Sequence, residues 1–137
     1  MANTWYTKGL EYTLQTGLGT PVVKVVLLQL TEHTPTFATD TFLSSVPATA
    51  RIGAPQTLAN KTFLNGTLDA DDSTFPNVPT ETACQAVLAY VELGSDAANR
   101  LLFVYDEATS GLPVTPQNNN ITVVWPVAGI ATLVNQP

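Results

Sequence analysis

A mainly β fold in one domain, an antiparallel sandwich or barrel with one or two short helices, is predicted by three features of the 137-residue sequence. Its apolar residues come in short runs, suited to buried strands rather than to long helices. Turn-forming clusters of Gly, Pro, Asn, Asp and Ser cut these runs apart. Turns and irregular loops, not helices of about 10–15 residues, separate most runs, which favours antiparallel pairing over a doubly wound parallel sheet. The length fits one domain of ordinary size, and no internal repeat or linker divides residues 1–137.

The elements follow in chain order. Residues 7–16 form a short helix: Leu10 and Leu14, with Tyr6 one turn earlier, make one apolar stripe, and Gly17, Gly19 and Pro21 end it. Residues 22–30, VVKVVLLQL, read as a buried strand whose Lys24 and Gln29 place one end or face in water. Residues 31–41 are Thr-rich with Pro35, hence a loop. Residues 42–46 make one helical turn between Asp40, a candidate N-cap, and Pro47. Residues 51–54 suit a strand before Pro55. Residues 61–68 alternate, with Phe63 and Leu64 on opposite faces, and Asn65-Gly66 reads as a turn or bulge. The acidic, Pro-containing residues 69–79 read as a loop.

Residues 82–93 are ambiguous. Their alanines favour a helix, whereas their alternation, flanking turns and β-rich neighbours favour a strand, the preferred reading. Residues 94–99 are a turn, 101–106 a strand, 107–120 a long loop, 121–125 a strand and 130–134 the last strand.

Composition limits the partners. Charged residues make up 12% of the chain against a usual ~25%, and Thr, Asn, Gln and Ser carry the polarity instead. Such a protein presents a neutral, hydrogen-bonding surface. A net charge of −6 and five scattered basic residues argue against nucleic acid or an anionic membrane as partner, since phosphates need Lys or Arg. No run approaches the ~20 apolar residues of a membrane helix. The opening MANTWYTKGLEY has no apolar core, so no secretory signal is expected.

Candidate chemistry is sparse. Cys84, the one cysteine, lies in ACQAVLAYV and reads as a small buried hydrophobe. Asp69, Asp71 and Asp72 are the best metal candidates, but the stretch lacks the Gly and distal Glu of a calcium loop, and an acidic turn is the simpler reading. His33 beside Glu32 has no evident nucleophile and reads as a surface histidine. The sequons at Asn60, Asn65 and Asn120 carry little weight without a secretory signal. Trp5, Tyr6, Tyr12 and Trp125 suit either a sugar-stacking platform or core packing. Phosphate-loop, dinucleotide and metalloprotease motifs are absent, and neither an enzymatic activity nor a cofactor is expected.

Four blocks resemble a family of small proteins encoded among the head and structural genes of tailed bacteriophages. They are YTKGLEYTL followed by VKVVLL; FLSSVPATARI; LANKTFLNGTLDADDSTFPNV; and AVLAYVELGSDAANRLLFVYDEATSGLPVTPQNNNITVVW. The end of the chain, WPVAGIATLVNQP, departs from the polar, Asn- and Gly-containing turn typical of the family. The resemblance implies a virion protein made in the host cytoplasm, a capsid decoration or cement protein on the outer capsid surface. Its partner would be the major capsid protein, and it would act as a homo-oligomer, a dimer or trimer. A tail, neck or fibre-associated role, or a carbohydrate-binding module for host attachment, are the alternatives. Loops carry function on rigid scaffolds, so the expected contact residues are Thr34, Thr36 and Phe37; Asp69, Asp71, Asp72 and Phe75; and Pro113, Gln117 and Asn118.

Overall fold

The computed structural model describes residues 4–64, 66–106 and 111–132. Its centre is a five-stranded antiparallel sheet of β1 (Thr4–Trp5), β8 (Arg100–Tyr105), β7 (Ala86–Val91), β2 (Val23–Leu28) and β3 (Arg51–Thr57), in that spatial order. The strand reading of residues 82–93 holds. β2, β7 and β8 are buried on both faces along nearly their whole length, which is why they read as continuous apolar runs.

One face carries Val25, Leu27, Val87, Ala89 and Phe103. A second layer covers it: the pair β6 (Ser73–Val78) and β9 (Asn119–Val123), and the small sheet of β10 (Ala131–Thr132), β5 (Thr67–Asp69) and β4 (Thr62–Leu64). Phe75, Val78, Ile121, Val123 and Leu68 close that core, so the two layers form a sandwich. The other face carries Val26, Leu28, Leu88, Leu101 and Val104. Its cover is irregular chain, with Leu43 and Val46 in and after one 3-10 turn, Ala50 in a second, and Tyr6 and Phe37 beside them. A register shift between β7 and β8 lets Leu102 and Phe103, neighbours in sequence, both join the sandwich core.

The helix α1 (Thr7–Thr16) has the expected bounds and ends at Gly17, at φ 83°. Its packing differs from the expected stripe. Leu14 is 77% exposed, and the buried helical residue is Gly9. A Cβ at Gly9 would lie 2.6 Å from the Leu101 carbonyl oxygen and 2.7 Å from that of Leu102. At Gly9 the helix therefore lies directly on the β8 backbone, with only a hydrogen between them. Beside the two-residue β1, it covers the edge of the central sheet.

Other expectations are corrected. Residues 69–79 are not a loop: Ser73, Phe75 and Val78 point into the core while Thr74 and Pro76 point out. Pro76 is accommodated because the β6–β9 register shifts between Phe75 and Val78. Pro55 lies within β3, an edge strand of its sheet, where a missing N–H is tolerated. Residues 61–68 fold back as the β4–β5 hairpin, with Leu64 paired to Thr67. The turn at Leu43–Ser45 has Phe42 as its N-cap without a side-chain bond; Asp40 instead accepts from the Thr36 N–H at 2.9 Å. Gln29 is 2% exposed rather than at the water's edge. The last expected strand is seen as Ala131–Thr132, and its residues 133–134 lie outside the described ones, as do residues 107–110 of the long loop.

Gly9→Ala separates docking from helix propensity. Propensity alone would make Ala stabilising by about 1 kcal/mol. The clash with two β8 carbonyls predicts the opposite, a loss of about 1–3 kcal/mol, read as a lower urea midpoint.

Candidate functional site

Strand register gathers three connections at one end of the sandwich. The last residue of β2 pairs with the first of β7, Val87 pairs with the last residue of β8, and Val78 at the end of β6 pairs with Asn119 at the start of β9. The segments leaving there are residues 29–35, 79–85 and 111–118.

Specific bonds tie them together. The buried Gln29 amide donates to the Thr82 carbonyl and hydroxyl, both at 2.9 Å, and the Gln85 side-chain oxygen accepts from the Leu30 N–H at 2.9 Å. Cys84 and Val114 exchange backbone hydrogen bonds of 2.7 and 3.0 Å, and the Glu81 N–H donates to the Pro116 carbonyl at 3.2 Å. The Asn120 side chain accepts from the Asn77 N–H at 2.9 Å. Thr34, Thr80, Thr82, Pro113, Thr115, Gln117 and Asn118 are exposed on this frame. The side-chain amides and hydroxyls among them both donate and accept, so this end offers mostly uncharged hydrogen-bonding groups, with Glu32 and Glu81 as its exposed charges.

The expected contact residues divide as follows. Thr34, Pro113, Gln117 and Asn118 belong to this end. Thr36 is exposed further along residues 31–41, a segment that crosses the outer face of the sheet and rejoins it where the Thr41 carbonyl accepts from the Leu101 N–H. Phe37 is half-buried, its ring 4.9 Å from that of Tyr6. Phe75 is fully buried in the sandwich core and offers no surface to a partner. Asp71 and Asp72 lie at the opposite end of the β6–β9 pair and serve the fold: the Asp72 carboxylate accepts from the Trp125 N–H at 3.0 Å, and the Asp71 carbonyl from the Trp125 indole at 3.1 Å. Asp69 ends β5 and binds the next backbone N–H. Among the described residues, no three His, Cys, Asp or Glu side chains are grouped to hold a metal ion, and no helix is long and apolar enough to cross a membrane.

His33 is not an open surface histidine. It sits among Leu30, Pro35 and Phe37, with Nε2 3.9 Å from the Asp40 carboxylate. The four aromatics of the sugar-platform reading share no face. Trp5 stacks edge-on against Phe103 at 5.0 Å, and Trp125 against Tyr105 at 5.1 Å. Tyr6 is buried on the far side of the central sheet, and Tyr12 lies under the Arg100 guanidinium at 5.6 Å.

Sequence reasoning missed an apolar flank. Leu14, Phe63, Leu64 and Val127 are 77%, 50%, 72% and 103% exposed. Strand alternation marked Phe63 and Leu64 as facing opposite ways; it carried no sign that both faces of β4 would be exposed. Compared with known proteins, the chain matches no family model and no curated protein sequence.

Burial pushes the Cys84 thiol up to about 11, with Glu81 adding to it, and pushes the Tyr90 phenol up to about 12, with Glu92 adding. Both groups hold their protons in the fold beyond the pH at which an unfolded chain releases them. The stability they contribute is whole below the ordinary values of 9.0 and 10.0 and is lost as pH rises through about 11 and 12. Denaturant titrations from neutral to strongly alkaline pH should show a loss on the order of 2–4 kcal/mol, beginning near the ordinary thiol value. Cys84 should resist thiol reagents in the native state at mildly alkaline pH and react on unfolding.

Proposed function

We propose that this chain is a non-enzymatic structural protein of a tailed-phage particle. In this reading it is made in the host cytoplasm and binds the outer capsid surface. It acts as an oligomer that ties neighbouring subunits of the major capsid protein together. The observation that carries this reading is the convergence of three bonded, mostly uncharged Thr-, Pro-, Asn- and Gln-bearing segments at one end of a rigid sandwich. Such an end meets another protein surface chiefly through uncharged groups, with Glu32 and Glu81 its exposed charges, so little charge is desolvated, which is the costly step in docking.

The resemblance of the four sequence blocks to phage head proteins supports the same reading. So does the chemistry: the thiol that would be the natural nucleophile is buried and held protonated. Symmetry would repeat a modest contact around a closed shell, so weak single contacts would add to a strong total.

Co-sedimentation of the purified protein with heads of its own phage, stripped of this protein, tests the reading, with isolated tails as the control. Saturable binding to heads is expected. A Gln117→Ala, Asn118→Gly double variant should weaken it by about tenfold or more with an unchanged melting temperature, since both side chains are exposed and Asn118 has φ 61°. Binding to tails alone would move the protein to the tail, and binding to neither would end the virion reading.

A further inference from the structure

Residues 31–40 cross the outer face of the central sheet between two firm anchors. At one end the Leu30 N–H donates to the Gln85 side chain, and the Gln29 amide donates to Thr82. At the other the Thr41 carbonyl accepts from the Leu101 N–H at 3.0 Å, and Phe42 pairs with Arg100. Among the described residues, one hydrogen bond joins the segment to anything beyond its own ends: the Thr7 N–H donates to the Phe37 carbonyl at 2.8 Å. The Phe37 ring adds a contact at 4.9 Å from the ring of Tyr6. Packing there is incomplete. No residue of 31–40 is fully buried, and a cavity of about 280 Å³ is lined by Leu30, His33, Thr34, Pro35 and Phe37.

Within itself the segment is tied more closely. The Asp40 carboxylate accepts from the Thr36 N–H at 2.9 Å, and the Thr36 carbonyl accepts from the Thr39 and Asp40 N–H groups at 3.1 and 2.9 Å. Residues 36–40 thus hold their own shape while relying on Phe37 for attachment. The closed position also carries a penalty. The Tyr6 hydroxyl and His33 Nε2 are buried without a hydrogen-bond partner among the described residues. Burial pushes the Tyr6 phenol up, and the Asp40 carboxylate of the segment adds to it. A buried hydroxyl with no partner is destabilising, and contact with water relieves it.

We infer that residues 31–40 form a strap that opens as a unit between Leu30 and Thr41, with Phe37 as its latch. Few outside bonds, a half-buried latch beside a cavity, and a hydroxyl that gains water on release all lower the work of opening at this segment. Thr34 lies both on the strap and among the exposed groups of the polar end. Opening therefore re-aims one edge of that surface. Capsid binding plays no part in the opening itself, so either can fail without the other.

Amide hydrogen exchange of the full chain, followed by NMR, tests it, because Tyr6 and Thr7 are neighbours bonded to different parts. The Tyr6 N–H donates to the Leu102 carbonyl of β8 at 2.9 Å, and the Thr7 N–H to Phe37 on the strap. Corrected for intrinsic rates, Thr7 should exchange about tenfold or more faster than Tyr6, at a rate that low denaturant leaves unchanged. Phe37→Ala should speed Thr7 by about tenfold or more, since the latch holds the closed form. Tyr6→Phe should leave Thr7 as slow or slower, since the closed form then shuts no hydroxyl away from water. Thr7 exchanging only with Tyr6, in the global transition, would overturn the inference. So would Thr7 keeping pace with Leu10, whose N–H donates to the Tyr6 carbonyl at 3.0 Å, because α1 would then be what opens. A Phe37→Ala variant with unchanged Thr7 exchange, or a Tyr6→Phe variant with faster exchange, would overturn it as well.

Discussion

Burial of β2, β7 and β8 on both faces is the constraint on which the rest of the molecule depends. Antiparallel sheets commonly keep one wet face. Here Val25 and Leu27 point one way while Val26 and Leu28 point the other, and all four are buried. An exposed face of this kind would leave several Leu- and Val-sized side chains in water, at about 1.5–3 kcal/mol each. The chain must therefore supply two covers from a limited length. The second layer of short strands is one. The irregular run with its two 3-10 turns is the other.

This demand also accounts for the bonded loops. A cover made of short strands has little ladder of its own, so its connections are fixed by side chains. Gln29 holds Thr82, Gln85 holds Leu30, Asp72 holds Trp125 and Asn120 holds Asn77. The polar residues that make the chain look neutral and loop-rich therefore divide into two kinds. Some, such as Gln29, are buried struts. Others, such as Gln117 and Thr115, are exposed on the frame the struts hold. Composition alone cannot separate them, since both are uncharged amides or hydroxyls.

Much of the scaffold was legible in the sequence because its signals are local. VVKVVLL and RLLFVY are apolar runs of strand length, and Gly17 stops α1 where the sequence says it should. β6 was hidden because three aspartates precede it and a proline sits inside it, masking the alternation of Ser73, Thr74 and Phe75. The value of Gly9 lies in what touches it, a tertiary fact that no local pattern carries. The grouping of Thr34, Thr82 and Gln117 depends on strand order, which no local pattern encodes. The exposed flank was invisible for a related reason: Phe63 and Leu64 look like core residues, and among the described residues nothing in the second layer covers them.

The two covers differ in how they are attached. The inner one is built from strands paired with one another along β6–β9 and β10–β5–β4. The outer one is pinned by a few separate backbone bonds, among them those at Thr7, Gln29, Leu43 and Leu101. Loss of one such bond releases a stretch of loop, whereas loss of one ladder bond leaves its neighbours in register. The molecule thus has a hard side and a soft side around a common spine. Local openings begin on the soft side, and the strand framework beneath keeps its shape while they come and go.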